Sequence, residues 1–262
     1  MARGLGTRMR KADAGVRLDP DQHAVADEGQ KGMIPVGRPF LDYVLSGLAD
    51  AGLIHVCLVI GPEHRAVREY YTGPGRPTRV TVDFAVQERP LGTADAVLAA
   101  ESFAGGASIV VLNADNLYPT EAIFDLQTLG RAGLIGFRRS GLLRSGDIPA
   151  DRINQFALID WTGGMLTRIV EKPDAETAAE FGEDPWVSMN LWLLPPTIFA
   201  SARAIVPSSR GELELVDAVR HGMEVLGERY RVKVRDDAVL DLSTRGDIPR
   251  VRERLLGREA RP

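Results

Sequence analysis

Short apolar runs of strand length alternate with segments of helical period through the first half of the chain, and this alternation narrows the choice of fold most. Residues 55–60, 80–87, 108–113 and 133–137 read as strands, and 39–51, 63–71, 93–103 and 119–129 carry helical pattern between them. Strands separated by helices predict an α/β fold with a mostly parallel, Rossmann-like central sheet covered on both faces. Such sheets bind ligands beyond the carboxyl ends of their strands. Between 154 and 194 the pattern changes to three strand-like runs, 156–161, 165–170 and 187–194, which predict a small mixed or antiparallel extension. An amphipathic helix over 212–226, a strand pair through 230–242 and a closing helix over 248–255 complete the reading. With 262 residues, 44% of them hydrophobic, the chain can bury the core of one large domain. No repeat of 20 to 50 residues and no hexapeptide period occurs, so no C-terminal β-helix is expected.

The formal net charge of −4 gives no electrostatic case for nucleic acid or an anionic membrane, so any phosphate must be held by individually placed cations. The single cysteine, Cys57, lies in the apolar run 56–60 and reads as a core thiol. No apolar stretch approaches the ~20 residues that span a bilayer, and no charged-then-apolar leader opens the chain, so a cytoplasmic protein is expected. The sequence leaves room for a homo-oligomer.

Against that background the opening run Gly4-Leu5-Gly6-Thr7-Arg8-Met9, followed by Lys31 in Lys31-Gly32-Met33-Ile34-Pro35, reads as a triphosphate grip. Glycines without Cβ let backbone N–H groups close on phosphate oxygens, and Arg8 and Lys31 add the charge. A dinucleotide fingerprint would need a third glycine where Met9 stands, and a Walker loop would end in Gly-Lys-Ser/Thr. Between the two elements, residues 11–30 hold a helix-start signature, with Asp19 as N-cap and Pro20 at the first position. A short helix and a plain surface excursion are both open for it.

Carboxylates recur at the ends of strands. Asp115, in Ala114-Asp115-Asn116 after the run 108–113, suits a hard divalent ion carried by a triphosphate, and Asp241, in Val239-Leu240-Asp241, stands among strand residues where an unpaired charge would be expensive. Glu171 and Lys172 stand side by side before Pro173; strand alternation would send them to opposite faces, one toward sugar hydroxyls and the other toward a phosphate. Gln87 offers a donor and an acceptor to a base edge, ahead of a helix beginning near Thr93.

Six of these segments occur in an order that resembles the sugar-1-phosphate nucleotidyltransferase family, over nearly the whole chain. Gly4 to Met9 resembles its G-x-G-T-R-L/M loop, Lys31 to Pro35 its K-x-x-x-P, and Gln87 to Ala94 its Q-x-x-P-x-G-T-A turn. Asn113-Ala114-Asp115 is similar to its N-G-D strand, Glu171-Lys172-Pro173 to its E-K-P, and Gly211-Glu212-Leu213-Glu214-Leu215-Val216-Asp217 to its G-E-x-E-L-T-D helix start. Departures are Arg3 and Ala114 in place of glycines, Asn190 where many members have glycine, and a longer spacer from Arg8 to Lys31. The family's first strand precedes its glycine loop, whereas here Met1 stands almost against Gly4; the expectation is a native start further upstream.

The resemblance implies a GT-A-like fold in a single domain, 1–262, with 1–150 mainly binding nucleotide and 151–262 mainly sugar phosphate. It implies transfer of a nucleotidyl group from an NTP to a sugar-1-phosphate, with Mg²⁺ held by Asp115 and Asp241. Arg8, Lys31 and Lys172 would carry catalysis; Gly4, Gly6, Thr7, Gln87, Gly92 and Thr93 would hold the nucleotide; Glu171, Lys172 and Asn190 would hold the acceptor. Gln87 favours a pyrimidine, while Gly92 to Val97 also resembles adenylyl-transferring relatives. Phosphocholine or a cyclitol phosphate as acceptor, and a non-catalytic regulatory nucleotide-binding module, are the alternatives.

Overall fold

Most of the apolar runs become strands within a residue or two of their expected bounds, because β-branched and large apolar residues fit a pleated, half-buried surface. The computed structural model of the chain describes residues 1, 6–144 and 148–262. Among them ten strands follow in chain order: β1 (His55–Ile60), β2 (Thr81–Val86), β3 (Ile109–Val111), β4 (Asn116–Leu117), β5 (Gly133–Arg138), β6 (Ala157–Thr162), β7 (Met165–Val170), β8 (Trp186–Leu194), β9 (Arg231–Arg235) and β10 (Leu240–Asp241). The chain forms two compact units whose segments alternate along the sequence. The first comprises Met1, Leu91–Leu112 and Glu121–Ala238; the second comprises Ala2–Pro90, Asn113–Thr120 and Val239–Pro262.

In the first unit six strands lie in the order β3-β8-β5-β9-β7-β6, and a further β6–β8 pairing returns the sheet on itself as a barrel-like ring. The α/β class holds, but the expectation of a mostly parallel sheet does not extend to this unit. Only β5–β9 is parallel here among the described residues, while β8 runs antiparallel to β3, β5 and β6. The cause is local. Gly163 and Gly164, both at positive φ, close β6 and β7 into a two-residue hairpin of the kind whose twist matches its strands. The helices Thr93–Ala99, Ile198–Ala204 and Leu215–Glu224 contribute to a core centred on Trp192, Tyr230, Leu134 and Val219. Trp192 meets Tyr230 edge to face at 6.3 Å. The helix expected over 93–103 is interrupted at Ala100, where φ is −92° and ψ 5°.

In the second unit β1 and β2 pair in parallel, from His55 opposite Thr81 to Ile60 opposite Val86. The helix Phe40–Asp50 is buried along nearly its whole length and carries the fully buried Asp42. That charge is compensated by Arg38, Tyr70 and Tyr71, which all donate to its carboxylate, so it ties this helix to Arg65–Thr72. Cys57 in β1 is half-buried, less deep than a core thiol, and burial still pushes its thiol up, away from the reactive thiolate. The segment 11–30 resolves as a helix, Pro20–Glu28. Asp19 and Gln22 form a reciprocal capping box at its start, and Gly29 ends it at φ 73°. No helix among the described residues is long and apolar enough to cross a membrane.

Candidate functional site

In the second unit, Gly6 caps a four-residue helix, Thr7–Arg10. Its φ is 60°, and a Cβ there would fall 2.3 Å from the Gly29 carbonyl oxygen, so the glycine is required by close packing as well as by conformation. Thr7 and Arg8 are exposed on the first turn. Gly4 and Arg3 lie outside the described residues. The Gly29 turn leads directly into Lys31, which opens a short 3₁₀ turn.

Lys31 Nζ donates to Asp115 Oδ2 at 2.8 Å, joining the expected phosphate-binding cation to the first expected metal carboxylate. Partial burial by itself raises the Asp115 carboxyl, but the charge and hydrogen bond of Lys31 outweigh it and hold the group below its ordinary value. The second carboxylate arrives through a two-residue ladder. β4 and β10 pair antiparallel with Asp241 opposite Asn116, and Leu242 N–H donates to the Asp115 carbonyl at 2.9 Å. Asn116 Nδ2 donates to Asp241 Oδ1 at 2.9 Å, and Ser243 Oγ donates to the same oxygen at 3.1 Å. Asp241 is therefore buried but satisfied. Sequence reasoning missed Asn116, although its place directly after Asp115 was a usable signal.

The donor set bears on the expected ion. No group of three or more His, Cys, Asp or Glu side chains suited to a metal occurs among the described residues. Two carboxylates on neighbouring positions are what Mg²⁺ takes when phosphate oxygens and water complete its shell, so Asp115 and Asp241 fit that ion. Gln87 lies just past β2; its N–H donates to the Ile60 carbonyl at 2.8 Å and its side chain is buried.

In the first unit, β7 ends at Val170, one residue before Glu171. Lys172 then adopts φ 43°, and its Nζ lies 3.9 Å from Glu171 Oε1. The expectation that alternation would separate this pair is thus corrected: the strand has ended, and a left-handed residue turns the two side chains together. Glu171 is raised to about 7, first by burial and then by the charges of Glu214 and Asp217, against the opposing pull of Lys172 and Arg210. Arg210 Nη2 donates to Glu214 Oε1 at 2.7 Å. Burial and Glu214 also raise Glu212. Sequence reasoning misses Arg210, Glu212, Glu214 and Asp217 as neighbours of Glu171, although the run 211–217 is recognisable as a motif.

Asn190 has φ 59° within β8, at the irregularity where β5 steps from Leu134 opposite Trp192 to Gly136 opposite Ser188. Asparagine tolerates this conformation better than most residues, and its Oδ1 accepts from Trp192 Nε1 at 3.2 Å. Gly92 and Thr93 have a structural task visible in their contacts. A Cβ on Gly92 would lie 2.5 Å from Leu213 O, and Thr93 Oγ1 accepts from Leu215 N at 2.8 Å, capping the helix Leu215–Glu224.

The nucleotidyl transferase family model matches residues 15–244. The low-salt glycan biosynthesis nucleotidyltransferase Agl11 of Haloferax volcanii is 30% identical over 215 residues, 80% of this chain and 55% of that protein. A glucose-1-phosphate thymidylyltransferase of Neisseria gonorrhoeae is 28% identical over 88% of this chain and 75% of its own length. The chain spans about half the length of several of the curated relatives it matches. A UDP-glucose pyrophosphorylase from Acinetobacter baumanii shares the fold with a TM-score of 0.71 at 18% identity, over 99% of this chain and 93% of its own. The family model covers most of the chain, and the 30% identity to Agl11 agrees with it: the chain belongs to the nucleotidyl transferase family.

Proposed function

We propose that the chain transfers a nucleotidyl group from a nucleoside triphosphate to a sugar-1-phosphate, releasing pyrophosphate and an NDP-sugar. The observation that carries this reading is the 2.8 Å contact between Lys31 and Asp115, with Asp241 linked to the neighbouring Asn116. One cation and two carboxylates suit a triphosphate and its divalent ion. The names of the relatives, a glucose-1-phosphate thymidylyltransferase and a UDP-glucose pyrophosphorylase, make glucose-1-phosphate with dTTP or UTP the first pairs to test.

The acceptor phosphate attacks the α-phosphorus and pyrophosphate leaves in line. A phosphate monoester with a second pKa near ~6 is mostly dianionic at neutral pH, so no general base is needed and catalysis rests on positioning and charge neutralisation. Arg8 pairs with the β- and γ-phosphates, Lys31 exchanges its carboxylate partner for the α-phosphate, and Lys172 orients the acceptor phosphate. Gly4, Gly6 and Thr7 are assigned to the triphosphate, Gln87 to the base edge, and Gly92 and Thr93 to the nucleotide as well. Glu171 and Asn190 hold acceptor hydroxyls. Asp115 and Asp241 would hold Mg²⁺, which would supply further neutralisation of phosphate charge. Nucleotide binding falls to residues of the first half of the sequence and acceptor binding to those of the second. Because nucleoside triphosphates are cytoplasmic metabolites, the reaction belongs in the cytoplasm.

A pyrophosphate-release screen of the common NTPs against sugar-1-phosphates, with phosphocholine and a cyclitol phosphate as further acceptors, tests the reading. Turnover confined to the last two acceptors moves the specificity away from sugars. NTP binding without turnover on any acceptor supports a regulatory module instead.

A further inference from the structure

The helix Pro20–Glu28, inserted between the two phosphate-binding elements, converges with the helix Thr7–Arg10 on one buried arginine. Arg245 stands four residues after Asp241 and is 3% exposed. Its Nε donates to the Met9 carbonyl at 2.9 Å and its Nη2 to the Arg10 carbonyl at 3.3 Å, so one guanidinium serves two carbonyls at the end of Thr7–Arg10. Nη2 also pairs with Asp27, and Nη1 lies 3.3 Å from His23 Nδ1, both on Pro20–Glu28. Two further contacts join the same helices: Arg10 Nη2 donates to the Glu28 carbonyl at 2.8 Å, and Gly6 packs against Gly29. Asp247, accepting from the N–H groups of Ser243 and Thr244, fixes the turn that presents Arg245.

A single helical turn does not stand alone, because nucleation costs more than one or two hydrogen bonds return, and its last carbonyls need partners. A cation at that end also complements the helix dipole. We propose that Arg245 is a positioning residue for nucleotide binding: together with Pro20–Glu28 it clamps Thr7–Arg10 and so holds Arg8 in place for the triphosphate. This rests on the nucleotidyl-transfer reading. It gives the inserted helix a task that neither motif nor composition assigned, and the planar fork of arginine suits it better than a point-charge ammonium, because it reaches both carbonyls and a carboxylate at once.

The test uses the full chain with Mg²⁺ and two probes, inorganic tripolyphosphate and UTP, by calorimetry, with thermal melting alongside. Arg245→Met should weaken tripolyphosphate binding and raise the KM for NTP by about tenfold or more, leaving the KM for the acceptor unchanged. Arg245→Lys should fall between it and the wild type. If Arg245→Met does not fold, Asp27→Ala decides: Asp27 is largely exposed, so folding should hold while tripolyphosphate affinity drops about threefold. Hydrogen exchange at residues 7–10 should speed up in both. Unchanged probe affinity in the folded variants overturns the clamp and leaves the function standing. A wild-type chain that binds neither probe overturns both.

Discussion

The Lys31 ammonium rests 2.8 Å from the Asp115 carboxylate, across 84 residues of chain. The pair neutralises both charges, and it sets the group that would meet a phosphate beside the group that would meet its ion. Replacing Asp115 by Asn keeps the size and removes the charge. Turnover should fall by at least ~10²-fold, the range for loss of one electrostatic group in the transition state. Because Lys31 loses its partner, stability should also drop by about 1 kcal/mol. Steady-state rates across a Mg²⁺ titration and a urea melt check both; near-full activity would remove Asp115 from the mechanism.

Glu171 connects pH to stability. Its folded value of about 7 lies above the ordinary carboxylate range, so the folded state holds this proton more tightly than the unfolded chain does. The stabilisation is complete below the unfolded value near ~4.3 and is lost as pH rises through about 7. Glu171→Gln, which mimics the protonated form, should therefore melt like the wild type at pH 4 and be more stable by roughly 3–4 kcal/mol at pH 8. Thermal melts at the two pH values decide it: an equal gap at both would mean that Glu171 is not the titrating group.

Gly92 and Gly105 separate two reasons for a glycine. Both have positive φ, but a Cβ on Gly92 would strike the Leu213 backbone at 2.5 Å, whereas nothing lies within 4 Å at Gly105. Gly92→Ala should cost about 3 kcal/mol or more, and Gly105→Ala about 1 kcal/mol. Chemical denaturation of the two variants makes the comparison. Equal costs would show that conformation alone is at issue.

Gln87 should govern the choice of base. If its amide pairs with an imide edge, UTP or dTTP will be preferred in the wild type. Gln87→Leu should then shrink the ratio of kcat/KM for pyrimidine over purine triphosphates by about tenfold. A wild-type preference for ATP or GTP would refute the assignment.

Much of this was legible in the residues. Runs such as 55–60 and 165–170 match strands β1 and β7 residue for residue, because apolar β-branched stretches bounded by turn residues have few other uses. The Asp19-Pro20 start of the inserted helix was visible as well, and Gln22 completes its cap. Asp115 and Lys31 could each be chosen as site residues from type and motif, since a carboxylate after a strand and a lysine after a glycine turn have recognisable chemistry.

Other features depended on which distant segments meet. The register that sets Asp241 opposite Asn116, the antiparallel course of β8 and its irregularity at Asn190 all follow from strand pairing, which local pattern does not encode. Glu171 and Lys172 are neighbours rather than an alternating pair because β7 ends at Val170, one residue before Glu171, and Lys172 takes a left-handed conformation. Arg245 carried no signal at all, being one arginine among many until folding buried it against Met9, Arg10 and Asp27. Periodicity and composition determine which elements form, through interactions between near neighbours in sequence. The partners of a buried charge are decided by contacts between residues hundreds of positions apart, and only the tertiary structure brings those together.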